Sequence, residues 1–236
     1  MPYLRPSSRT GGWGSPKLDL GGCVLYLPLW RPSGDMTGST IYSYDTNRHT
    51  CAVTGATWGI TGRDYTGGND KIVIPSDASL QITGDMSILA WVNPTAVGDA
   101  HHIICQKDDQ GVEGTVNYYF ALHTTIGAPN LGHYDTGWHD AQGDNAVSAG
   151  VWSQVAATLS GTTITYYING AVSGSTKSLV GTLTTAGGSL TAGCQLAAGS
   201  IALPFDNIIG ELLIYNRALS ASEVARYNQA TKWRYT

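Results

Sequence analysis

SAGVWSQVAATLSGTTITYYINGAVSGS, residues 148–175, is the stretch whose reading decides the fold. Two runs inside it, WSQVAATLS (152–160) and TTITYYING (162–170), are short, rich in β-branched and aromatic residues, and bounded by turn formers, the composition of strands. Asn169-Gly170 is a hairpin turn signal, because both residues tolerate the positive φ that a type I′ turn demands. Outward from this stretch the same pattern recurs in CVLYLPLW (23–30), KIVIP (71–75), SILAWVNP (87–94), HIICQK (102–107), VNYYFALHT (116–124) and GELLIYN (210–216). In VNYYFALH the period is two: Val116, Tyr118, Phe120 and Leu122 share one face, Asn117, Tyr119, Ala121 and His123 the other. Such a strand is expected to bury one face and show the other to solvent. The spacing of strands and turns predicts an all-β chain, two antiparallel sheets packed face to face as a sandwich. One segment reads as helix, SASEVARYNQA (220–230), where Ser220 and Glu223 have the spacing of a capping box.

Composition bounds the function. Charged residues are 13% of the 236, hydrophobic residues 42%, and thirty glycines point to many tight turns. A net charge of −4 and a pI near 5.8 argue against nucleic acid, which needs a clustered basic surface. No apolar run has the length of a membrane span, so no membrane insertion is expected. Cys23, Cys51, Cys105 and Cys194 are widely spaced without a C-x-x-C pair, which argues against zinc and for buried thiols, with one disulfide left open. Residues 1–17 contain Arg5, Arg9, Trp13 and Lys17 and no acid, and read as an extended arm preceding one domain over 18–236. Such an arm could join copies of the chain by lying on a neighbour. It has no apolar core of a secretory signal, so the expected location is a virus or phage particle surface.

Three stretches together resemble a known family. ITGRDYTGGNDKIVIP (60–75) is similar to the opening of laminin-G-like jelly rolls in the concanavalin A-like lectin and glucanase superfamily. The quoted stretch at 148–175 resembles that family's central hairpin, and IIGELLIYNRALSASEVARY (208–227) its closing strand and helix. MSILAWVNP (86–94) fits the early core strand with its tryptophan. The resemblance implies a concanavalin A-like jelly roll with a short C-terminal helix, in which Trp91, Trp152 and Tyr215 are core aromatics and Arg217 secures the strand-to-helix connection. It says less about activity, since unrelated functions share the fold.

Hydrolases of this fold use two carboxylates flanking a glycosidic bond. The E-x-D-x-x-E strand of the related glucanases is missing: none of Glu113, Glu211 and Glu223 begins it. A pair drawn from Asp135, Asp140 and Asp144 is the remaining route to a hydrolase or lyase, and no G-x-S-x-G elbow offers a nucleophile. The resemblance also brings calcium at the sandwich rim, with Asp70 and Glu211 as its metal candidates. Gly210 stands where the family usually has Asp, which removes one ligand, and Asp70 also reads simply as a turn residue. No other cofactor is expected.

HYDTGWHDAQGDN (133–145) is the densest cluster of chemically capable side chains. With the preceding strand it assembles Tyr119, His123, His133, Tyr134, Asp135, Trp138, His139 and Asp140, rings and acceptors of the kind that hold sugars. The alternative is a polar outer strand and loop. These readings combine into a non-catalytic jelly-roll surface module, a particle decoration or fibre component that oligomerises through its arm and has a possible glycan ligand. A stand-alone lectin or adhesion module, and a polysaccharide hydrolase or lyase, are the alternatives.

Overall fold

The computed structural model describes residues 19–66, 68–98, 100–108, 116–197 and 200–235. Arg5, Arg9, Trp13, Lys17 and Glu113 lie outside them. Strands β1 (Cys23–Leu27), β2 (Thr40–Tyr42), β3 (Thr50–Thr54), β4 (Thr57–Gly59), β5 (Gly62–Thr66) and β6 (Lys71–Ile74) form the first part of the chain, with a one-turn helix α1 (Gly34–Thr37) after β1. The long central strands follow: β7 (Met86–Pro94), β8 (His102–Asp108), β9 (Val116–Leu122), β10 (Pro129–Tyr134), β11 (Trp138–Gln142), β12 (Ser153–Ser160) and β13 (Thr163–Ile168). Shorter pieces come next, β14 (Ala171–Val172), β15 (Lys177–Ser178), β16 (Leu190–Ala192), β17 (Gln195–Ala197) and β18 (Ser200–Ala202). Strand β19 (Asp206–Tyr215) and helix α2 (Ala221–Thr231) close the chain.

Among the described residues these make two large antiparallel sheets. The first has nine strands, ordered β14-β13-β12-β7-β19-β5-β4, with β1 also on β19 and β15 also on β13. The second has eight, ordered β11-β10-β9-β8-β16-β6-β3-β2. The quoted hairpin is β12–β13, paired from Val155↔Ile168 to Ser160↔Thr163, and Asn169 and Gly170 take φ of 52° and 80° as its sequence requires.

Alternation along β7, β12 and β19 sorts side chains between two cores. Ile88, Ala90, Val92, Val155, Ala157, Leu212 and Ile214 face the second sheet and join the main core with Tyr118, Phe120 and Leu122 of β9. Leu89, Trp91, Ala156, Leu213 and Tyr215 face the other way and are covered by Val224 and Tyr227 of α2. Each fully buried aliphatic chain such as Leu213 contributes about 1.5–3 kcal/mol. Trp91 donates Nε1–H to Thr231 Oγ1 at 2.8 Å and stacks on Tyr235 at 4.5 Å between ring centroids. Trp91 and Tyr215 are core aromatics as expected, and Trp152 is half-buried against the same cluster. The capping box is present at Ser220 and Glu223. Arg217 ties the helix start to the chain entry, donating to Glu223 Oε1 at 2.7 Å and to Gly21 O at 2.8 Å. All four cysteines are buried and free.

The picture of β9 as a strand with one face open to solvent is corrected: Val116 to Leu122 are all buried. A register shift opposite Lys107 and Asp108 also moves Val116 off the core face, so that it packs with Tyr119 and Ala121.

Candidate functional site

Strands β9, β10 and β11 form the end of the eight-stranded sheet, and their register decides where each residue of 119–140 points. Gly132 lies opposite both Tyr119 and Asp140, while His133 lies opposite His139 and Leu131 opposite Ala141. Leu131 and Ala141 belong to the main core, so His133 and His139 stand on the inner side, and Trp138 and Asp140 on the outer. The eight residues grouped by sequence therefore divide into two sites.

The outer site is a cleft of about 330 Å³. Tyr119, Trp138 and Asp140 line it, together with His101, which precedes β8, and Ile103 and Gln106 of β8. Gln195 and Leu203, from the β17–β18 hairpin and the residue after it, complete the lining, and Leu203 O accepts from Ile103 N at 3.3 Å. Trp138 is 53% exposed, and its ring meets those of Tyr119 and Tyr134 edge-on at 6.0 and 5.4 Å. Tyr119 is held beneath it by Asn130 Nδ2, which donates to the phenol oxygen at 3.1 Å. Its ring lies over Gly132, where a Cβ would come within 2.5 Å of Tyr119 Cε1, so the ring needs a glycine there. His123 stands just past the end of β9, its ring edge-to-face with His101 at 4.7 Å. Burial pushes both imidazoles below the ordinary histidine value, and the cleft walls push the Asp140 carboxyl above the ordinary aspartate value.

The inner site is a hydrogen-bonded network at the sheet edge, in which His133 Nδ1 is buried without a partner. His133 is fully buried and donates Nε2–H to Val180 O at 2.8 Å. His139 donates to Asp135 Oδ1 at 2.8 Å, and the two histidine rings stack at 4.9 Å. Asp135 also accepts from Thr136 N and, at 3.2 Å, from Thr182 N. Those bonds, the Thr136 amide foremost and then His139, hold its carboxyl far below the usual range. Asp144 belongs to neither site: it accepts from Lys177 Nζ and, at 2.7 Å, from Ser175 N, fixing the turn at the edge of the other sheet.

The two calcium candidates do not meet. Asp70 accepts from Thr66 N and Oγ1 at 2.8 and 2.9 Å and closes the turn into β6 of the eight-stranded sheet. Glu211, on β19 of the nine-stranded sheet, is fully buried rather than at a rim. Arg234 and Trp30 each donate to its Oε1 at 2.6 Å and Tyr227 to its Oε2, so its acceptor sites are occupied by the protein. The glycine before it also has a cause: a Cβ at Gly210 would fall 2.5 Å from Tyr235 Cε1, so the Tyr235 ring fills the space an aspartate would need.

Sequence reasoning missed His101, Ile103, Gln106, Gln195 and Leu203. His101 immediately precedes HIICQK, and the alternation of that run would have placed Ile103 outward. The register shift between Ile103 and Cys105 then breaks the period before Gln106.

The residues 66–225 match the family described as the concanavalin A-like lectin/glucanases superfamily (Laminin_G_3). The chain belongs to that superfamily. Comparison with curated proteins finds no match. Among solved structures, the chain resembles the binding domain of Paraclostridial Mosquitocidal Protein 1 at TM-score 0.63 and 17% identity, covering 88% of this chain and 52% of that one. Domain 4 of AbnA, an extracellular arabinanase from Geobacillus stearothermophilus in complex with arabinotriose, matches at 0.62 and 19%, covering 89% and 98%. A Trypanosoma rangeli sialidase mutant matches at 0.65 and 15%, covering 93% of this chain and 34% of that one. The chain thus spans about half of the mosquitocidal binding domain and a third of the sialidase. At these identities the likeness establishes the jelly-roll fold. No helix among the described residues is long and apolar enough to cross a membrane.

Proposed function

We propose that this superfamily member is a non-catalytic carbohydrate-binding module whose site is the outer cleft. The observation that carries the reading is the pairing of the exposed Trp138 ring and the Tyr119 ring with His101, Gln106, Asp140 and Gln195 around one concavity. A pyranose or furanose offers apolar ring faces and a rim of hydroxyls, and that lining supplies a partner for each. The solved complex of the arabinanase domain with arabinotriose supports the same use of the fold. The carboxylates support binding over hydrolysis. Among the described residues Asp140 alone lines the cleft, Asp135 is tied into the inner network, and Asp144 is held by Lys177, so no pair flanks a bound sugar.

The test is a glycan array with the full chain, followed by calorimetry on the best ligand. Trp138→Ala is expected to cost about 2 kcal/mol, roughly thirtyfold in Kd, while Trp233→Ala, an exposed tryptophan elsewhere, leaves binding unchanged. Equal binding by wild type and Trp138→Ala, or release of new reducing ends from the ligand, would sink the reading. Display on a particle, with copies joined through residues 1–17, is a second proposal resting on the basic, acid-free composition of that arm. Light scattering on the full chain and on a chain starting at Leu18 decides it: equal masses exclude assembly through the arm.

A further inference from the structure

We propose that His101, His123 and Asp140 form a site for a divalent transition-metal ion, of the zinc, nickel or cobalt class, in the wall of the cleft. The inference goes beyond sugar binding, because it is read with the metal alone.

One ligand atom from each of the three residues lies within 4.8 Å of the other two. They come from three separate places, the residue before β8, the end of β9 and the middle of β11, which the sheet brings together. The ring planes of His101 and His123 cross at 77°. Imidazole lone pairs lie in the ring plane, so crossing planes let two nitrogens address one point. His133, Asp135 and His139 also bring ligand atoms within 4.8 Å of one another, but there the carboxylate is already bonded to Thr136, His139 and Thr182, and His133 Nε2 to Val180 O.

The lone pairs are also uncommitted. His101 Nε2 is cut off from solvent and has no hydrogen-bond partner, and no side-chain hydrogen bond engages the Asp140 carboxylate among the described residues. A buried polar atom without a partner is costly, and an ion would relieve it. His123 Nδ1 accepts from Thr125 N at 3.3 Å. Ligation through Nε2 would move the ring proton to Nδ1 and release that long, weak contact. Two imidazoles with one carboxylate select zinc-like ions over calcium, which wants six or more oxygens, roughly. Three protein ligands leave a fourth position of a tetrahedral ion open, as in zinc sites that bind a further ligand.

The experiment is zinc chloride titration of the tag-free full chain against a chromophoric chelator, with the visible absorption of the cobalt form as a second readout. One zinc per chain with a Kd in the micromolar range or tighter is expected. Asp140→Asn and His123→Gln should each weaken it roughly tenfold or more. His139→Gln, in the inner network, should leave it unchanged. Asp140 is exposed, so its variant keeps the fold, and a thermal melt confirms this for each protein. Movement of the Thr125 amide resonance on adding zinc reports ligation by His123 directly. No zinc uptake, or uptake lost in His139→Gln and kept in Asp140→Asn, overturns the proposal. Zinc uptake with an empty glycan array leaves this site standing and removes the sugar reading alone.

Discussion

Strand β11 contributes one residue to a histidine–histidine–aspartate cluster on each of its faces, and the two clusters differ in what the protein has already done with the carboxylate. On the inner face, His133 is bonded to Val180 and Asp135 to His139, Thr136 and Thr182. These bonds join the β10–β11 hairpin to the 180–182 loop and spend the Asp135 oxygens on holding the fold, while His133 Nδ1 is buried without a partner. On the outer face, His101 and Asp140 line a cleft, and no side-chain hydrogen bond engages His101 Nε2 or the Asp140 carboxylate among the described residues. Two histidines and an aspartate thus give a fastening on one side and, in the proposed function, a receptor on the other. Composition does not distinguish them; burial and the inventory of partners do.

The largest effect that follows is on stability. His133→Ala removes a fully buried ring and leaves Val180 O without its donor, at a cost of about 3 kcal/mol. Trp138→Ala, exposed and on the other face, should change stability by less than about 0.5 kcal/mol while weakening the ligand. Urea unfolding of both, with ligand binding measured on each, checks the division. Equal stability losses, or a ligand defect in a folded His133→Ala protein, would reverse the roles assigned to the two faces.

A smaller effect sharpens the outer half. In Gly132→Ala the added carbon meets the Tyr119 ring, which must swing away from its place beneath Trp138. Overpacking of this kind costs roughly 1–3 kcal/mol, and the cleft loses its floor. Weaker glycan binding together with quenching changes in Trp138 fluorescence is expected. Unchanged binding would show that Tyr119 supports the sheet rather than the ligand.

The sequence made the frame readable because its signals there are local. Asn169-Gly170 and Ser220-x-x-Glu223 fix a turn and a cap within four residues, and Trp91 sits in a strand long enough to show its character. The site was only half readable. The run 133–140 contains most of its chemistry, but adjacent residues on a strand point to opposite faces, so one cluster in the sequence becomes two in space. PNLGHY, the strand that separates them, carries Pro129 and Gly132 and lacks strand character; its glycine is required by Tyr119, a contact that only the paired strand reveals. Gln195 and Leu203 reach the cleft from a hairpin more than fifty residues beyond Asp140 in the chain, a juxtaposition without any local signature.

The smallest effect is the most diagnostic, because the two clusters should respond to acid with opposite signs. The Asp135 carboxyl is held below its unfolded value, so its contribution to stability is present above about pH 3.9 and is lost as pH falls through the folded value. Asp135→Asn removes that contribution. The variant should be less stable than wild type near neutrality, and the difference should shrink as the solution is made acidic. Asp140, exposed on one side, is shifted upward by partial desolvation against the cleft wall, opposed by the neighbouring His101. Between the unfolded value and the raised one the native state binds more protons than the unfolded chain. Ionised Asp140 is then a penalty that appears as pH rises through that window. Asp140→Asn should therefore gain on wild type towards neutral pH, where Asp135→Asn loses. Chemical denaturation of the three proteins from pH 3 to pH 7 compares the two slopes. Parallel slopes would mean that the carboxylates share one environment and that the inner and outer clusters are not distinct.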